Sequence, residues 1–85
     1  MKIRQWNKIL SRLLKSELTK RGLSYEDLNK KLAAIGIDEK TVNINNKIGR
    51  GTFSAIFFVQ CLRAMEVKTI QLDDAFFECE EKNLE

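Results

Sequence analysis

Histidine is absent from the 85 residues. That removes the commonest general base and the commonest metal ligand. Only two cysteines occur, Cys61 and Cys79, with no C-x-x-C pair. They are too few for a zinc cluster. One disulfide between them is chemically open, but two free thiols in a reducing cytosol fit better. No apolar run approaches the roughly 20 residues that span a bilayer. The charged N-terminus is not followed by an apolar signal core. The sequence therefore predicts a soluble cytoplasmic protein with no metal and no cofactor. It has no nucleophile-and-base pair and no phosphate-cradling glycine loop, so it is not expected to be an enzyme.

Proline is absent as well, and glycine occurs only at Gly22, Gly36, Gly49 and Gly51. These positions cut the chain into segments of helical length. The hydrophobic fraction is 44%, enough for one small core but not for two. The expected fold is all-α: four to five short helices, followed by a short strand at residues 69–72.

The first helix is expected from about Arg4 to Arg21. Trp6, Ile9, Leu10, Leu13, Leu14 and Leu18 share one face with Glu17, and Lys8, Arg12, Lys15 and Lys20 lie elsewhere on the cylinder. Trp6 is expected to anchor the core or an interface. Ser24 is the expected cap of the second helix, with Asp27 three residues on, and Tyr25, Leu28, Leu32 and Ile35 form its stripe. Asp38 is the expected cap of the third helix, about Glu39 to Ile48. Ile37, Thr41, Ile44 and Ile48 point inward there, with Val42 widening the stripe. Thr52 is the expected cap of the fourth helix, about Phe53 to Glu66, which is apolar nearly all round.

Charge is divided unevenly. Residues 1–72 carry 14 Lys and Arg against 6 Asp and Glu, a net +8. Residues 73–85 carry 1 against 6, a net −5. The chain thus reads as a basic domain, 1–72, with an acidic tail. A basic body of this size suits an anionic partner, and nucleic acid is the usual one.

The second and third helices, joined through Gly36, have the makings of a helix-turn-helix. The third would bury its isoleucines and show Lys40, Asn43, Asn46, Lys47 and Arg50. Asparagine can bond adenine bidentately, and Lys or Arg can bond guanine or phosphate. Ser24 and Tyr25 open the second helix, where N-terminal groups often meet phosphate. Each residue also has a structural alternative. Asn46 can bond backbone at the helix end, Tyr25 can pack inward, and Lys47 and Arg50 can be solvated cations. A redox role for Cys61 has no support, because nothing nearby would lower a thiol pKa.

The Ser24-x-x-x-Leu28-x-x-x-Leu32 run, then Gly36-Ile37, Val42 and Gly51, resembles the signature of the λ-repressor-like domains of the Xre type. The stretch from the joint to Gly51 is a few residues longer than in those domains. A closer resemblance covers residues 6–72. It rests on Trp6, Gly22, Gly36, Ile44-x-Asn46-Lys47-Ile48-x-Arg50-Gly51 and Gln60-Cys61-Leu62. It is to a small bacterial family of helix-turn-helix-like proteins defined as a domain of unknown function. The resemblance implies a λ-repressor-like fold. By analogy it implies sequence-specific binding of double-stranded DNA, as in a transcriptional regulator. One such domain offers little contact area, so a homodimer through helix 53–66 or segment 69–72 is expected.

The rival expectation is a protein-interaction module on the same scaffold. Asp38 and Glu39 favour it, since they stand where phosphates would approach. The tail offers a test. If it competes with nucleic acid for the basic body, deleting residues 73–85 tightens DNA binding at low salt. Unchanged affinity in an anisotropy titration would remove that role.

Overall fold

A computed structural model describes residues 3–72, with side chains from Gln5 onward; the acidic tail lies outside the described residues. The chain forms α1 (Ile3–Lys20), α2 (Tyr25–Ala34), α3 (Thr41–Arg50) and α4 (Ala55–Ala64). The expected all-α class is correct. α3 packs against both α1 and α2, and α2 packs in addition against α4.

Local chemistry sets the ends. Ser24 and Asp27 form a complete capping box at α2: the Asp27 amide donates to Ser24 Oγ at 3.1 Å, and the Ser24 amide donates to Asp27 Oδ2 at 2.9 Å. These bonds hold the Asp27 carboxyl below its ordinary pKa. α1, α2 and α4 all close through a left-handed residue followed by an apolar one. Gly22, Gly36 and Glu66 take the positive φ. The amides of Leu23, Ile37 and Val67 then reach back to the carbonyls of Leu18, Leu32 and Leu62, each at 2.9 Å. All three apolar residues pack on the core, as such closures commonly do.

Two helix starts fall later than the sequence predicts. α3 begins at Thr41, with an extended Lys40 as its N-cap and no side-chain cap bond. Asp38 lies outside the helix because the backbone turns helical only after Lys40. The Glu39 carbonyl is taken by the Asn29 side-chain amide instead. The joint between α2 and α3 is therefore residues 35–40, longer than the three or four residues of a tight helix-turn-helix. α4 is capped by Ser54, whose Oγ accepts the Phe57 amide at 3.0 Å, and not by Thr52. Phe53 stays outside the helix. Its ring stacks on Phe58 at 6.0 Å, the staple geometry that fixes how a chain enters a helix.

The core is built from paired rows: Leu14 and Leu18, Leu28 and Leu32, Ile44 and Ile48, then Phe57 with Cys61. Burial pushes the Cys61 thiol up to about 12, which keeps it protonated and unreactive. Glu17 is the exception on the inner face of α1. It is 4% exposed, with its carboxylate 2.5 Å from Arg21 Nη1 and 3.4 Å from Lys20 Nζ. A buried carboxylate persists only with such partners.

Two expectations fail, the strand at residues 69–72 and the place of Val42 in the buried stripe, and two others narrow. Residues 69–72 form no strand; they are exposed, and no neighbouring strand among the described residues offers a ladder. Val42 is 59% exposed and does not widen the buried stripe; Trp6, 44% exposed, is not core, which leaves the interface half of its expectation. α4 buries one face only, since Ile56 is 71% exposed and Val59 61%.

The tightest contact lies where α3 ends. Gly51 takes φ +67°, and its amide closes the helix on Lys47 and Ile48. A Cβ there would overlap the Asn7 carbonyl of α1, whose backbone cannot swing aside as a side chain can. Gly51→Ala is therefore expected to cost about 2–5 kcal/mol, from left-handed strain and overpacking together. Gly22→Ala has open space around it and should cost about 1 kcal/mol. Chemical denaturation compares the two, and equal losses would contradict the backbone contact.

Candidate nucleic-acid interface

The site is built on α3. Ile44 and Ile48 are fully buried, which fixes the rotation of the helix. Lys40, Asn43, Asn46 and Arg50 are then exposed, and Lys47 is half-buried. Asn46 lies on the outermost line of the helix, opposite the isoleucines, with Arg50 and the exposed Val42 about 40° to either side and Gly49 about 60° away. Gly49, having no side chain, leaves the backbone open there. Four of the seven residues picked from the sequence thus share α3, and a fifth, Lys40, is its N-cap.

Lys47 has a specific environment. Its Nζ lies 2.6 Å from Glu39 Oε2 and 4.8 Å from the centroid of the Phe57 ring. Asn43 Nδ2 donates to the other Glu39 oxygen at 3.4 Å. Glu39 is thus neutralised before any ligand arrives. The hydrogen bond from Lys47 is the main reason its carboxyl lies below the usual glutamate range, and the Asn43 bond adds to this against the opposing effect of burial. This answers the electrostatic objection that Glu39 raises from sequence: it is not a bare charge facing a phosphate. Lys47 in turn is braced between α4 and the α2–α3 joint.

Ser24 and Tyr25 are elsewhere. The Ser24 hydroxyl oxygen serves the capping box. Tyr25 is half-buried and packs on the core, and burial raises its phenol pKa. Both line a hollow against α1, with Lys15 and Thr19 on its far wall. They do not join the α3 cluster. Glu39 and Phe57 are the residues that sequence reasoning missed as partners of Lys47. Helical spacing does not pair residues eight apart, which stand about 80° apart around a helix; they meet because Glu39 lies in the joint before α3.

Among the described residues no group of carboxylates or thiols could hold a metal ion. No helix there is long and apolar enough to cross a membrane. The arrangement offers amide and cation donors on one convex helix.

Residues 6–70 match the family described as Domain of unknown function (DUF6471), and the chain belongs to that family. No curated protein and no solved structure matches the chain.

The Glu39 contact has a pH signature. A carboxyl depressed in the fold stabilises it above the unfolded value of about 4.3, and that contribution is lost as pH falls through the lower folded value. Glu39→Gln should lower the melting temperature at pH 7 and converge with the parent once pH falls below the depressed folded value. Parallel curves from pH 7 to below that value would show that the contact contributes nothing.

Proposed function

We propose that the chain is a λ-repressor-like helix-turn-helix domain that binds double-stranded DNA, with α3 in the major groove, as a bacterial transcriptional regulator would. The observation that carries this reading is the rotation of α3. The two isoleucines hold it so that Asn43, Asn46 and Arg50 face outward, with Lys40 at its start. The amides suit adenine, and the cations suit guanine or phosphate. α2 packs behind α3, as the motif requires. The six-residue joint makes this a lengthened version of that motif.

A homodimer on a two-fold site would enlarge the contact area. Ile56 and Val59, one turn apart on the outer face of α4, are its best interface candidates within the described residues. The same exposed side chains favour the second reading, a protein-interaction module without DNA binding.

Salt dependence separates the two. Purified full-length protein should bind duplex DNA at low salt and lose affinity steeply as salt rises. Arg50→Glu should weaken that binding at least tenfold. Asn46→Ala should relax preference on a selected site by about 1–3 kcal/mol, with little change in the salt slope. Lys47→Glu is the wrong probe, since it sets a second carboxylate beside Glu39. A well-folded protein that binds no duplex at low salt would overturn the DNA reading in favour of the interaction module.

A further inference from the structure

A second basic surface lies beside α3, on α1. Lys8, Arg12 and Lys15 follow one another at i, i+4 and i+7 and are all exposed. With Arg50 from the end of α3 they line a cleft of about 420 Å³, along with the hydroxyl residues Ser16 and Thr19. None of its lining residues is acidic. No ion pair joins these four cations to any carboxylate among the described residues. Elsewhere Glu17 takes Lys20 and Arg21, and Glu39 takes Lys47, while Lys30, Lys31, Lys40, Arg63 and Lys68 also make no ion pair among the described residues but do not converge on this cleft. The cations of the cleft are thus left concentrated and unneutralised.

The cleft also continues. Lys15 and Thr19 line the neighbouring hollow as well, which ends at Ser24 and Tyr25. From Lys8 to Thr19 the track runs about 17 Å at 1.5 Å per residue. A track of that length suits an extended polyanion better than a single phosphate. One of its walls is Gly49 and Arg50, so it adjoins the outward line of α3.

We infer that this α1 track seats the sugar-phosphate backbone of duplex DNA flanking the α3 contact, with Lys8, Arg12 and Lys15 on phosphates and Arg50 bridging the two surfaces. The inference rests on the DNA-binding reading above and adds a second, sequence-independent contact to it. Backbone contacts set register and affinity without reading bases. They also dominate the salt dependence, because each neutralised phosphate releases condensed counterions.

The test compares full-length wild type, a Lys8→Gln/Arg12→Gln/Lys15→Gln variant and an Asn43→Ala/Asn46→Ala variant on duplex DNA, from about 50 to 200 mM salt. All the substituted side chains are exposed, and circular dichroism checks that helicity is retained. The α1 variant should bind at least tenfold more weakly at the low-salt end, equally for all sequences. Its log–log salt slope should be shallower by about 2 to 3, at roughly 0.9 per phosphate lost. The α3 variant should keep the slope and lose sequence preference. Lys15→Gln alone, a milder change should the triple variant fold poorly, should reduce the slope by about 1. An α1 variant with wild-type affinity and slope overturns the track and leaves DNA binding by α3 standing. Loss in the α1 variant with an α3 variant indistinguishable from wild type supports the track and overturns the groove assignment of α3. A folded wild type that binds no duplex overturns both.

Discussion

Backbone meets backbone where α3 ends, and the rest of the surface depends on that contact. Gly51 lies so close to Asn7 that no side chain fits between them. It is also the left-handed residue that stops α3. One glycine thus fixes where the helix ends and how near it comes to α1. Ile44 and Ile48 fix its rotation from the other side. With distance and rotation both set, the positions of Asn46, Gly49 and Arg50 relative to Lys8, Arg12 and Lys15 follow. A bulkier residue at position 51 would push the two basic surfaces apart as well as loosen the core.

The second constraint is how the carboxylates of Glu17, Asp27 and Glu39 are tied down, whereas the exposed Asp38 makes no ion pair among the described residues. Glu17 is buried under Lys20 and Arg21, Asp27 is tied to Ser24, and Glu39 is held by Lys47 and Asn43. These contacts stabilise helix ends and joints. The ion pairs also offset the charges of Glu17 and Glu39 in the field that an incoming polyanion would feel, while Asp27 keeps its charge. The braced Lys47, held against Phe57, serves the architecture of the joint, while Arg50 and the α1 cations stay exposed for a ligand. An ordinary basic surface would show its charges mixed; here one side of α1 carries cations with no acidic neighbour in the cleft.

Much of this was legible in the sequence. Gly22, Gly36 and Gly51 with the 3.6-residue stripes located four helices, while Gly49 lies inside α3 and divides nothing; Ser24 with Asp27 marked the start of α2 correctly because both halves of the capping box are local. The starts of α3 and α4 were misplaced by two residues for a shared reason. Asp38 and Thr52 are good caps by residue type, but capping depends on where the backbone turns helical. Asn29 reaching Glu39, and Phe53 stacking on Phe58, move those points. The β-formers at 69–72 misled because a strand is a property of two chains, and no partner is present among the described residues. On the site, helical periodicity sufficed to place Lys40, Asn43, Asn46 and Arg50 outward. The Lys47 brace was hidden because Phe57 comes from another helix. The α1 row was visible as a spacing, but only the fold brings Arg50 to it.

The central claim is that α3 and α1 together present one DNA-binding surface. Backbone amide shifts of the full-length protein, followed by NMR as duplex DNA is added at low salt, test it most directly. The account predicts that the perturbed amides cluster on the outer line of α3 around residues 46–50 and on α1 around residues 8–15, with the outer face of α4 unaffected. Perturbations confined to α4 around Ile56 and Val59, or none at saturating DNA, would contradict it.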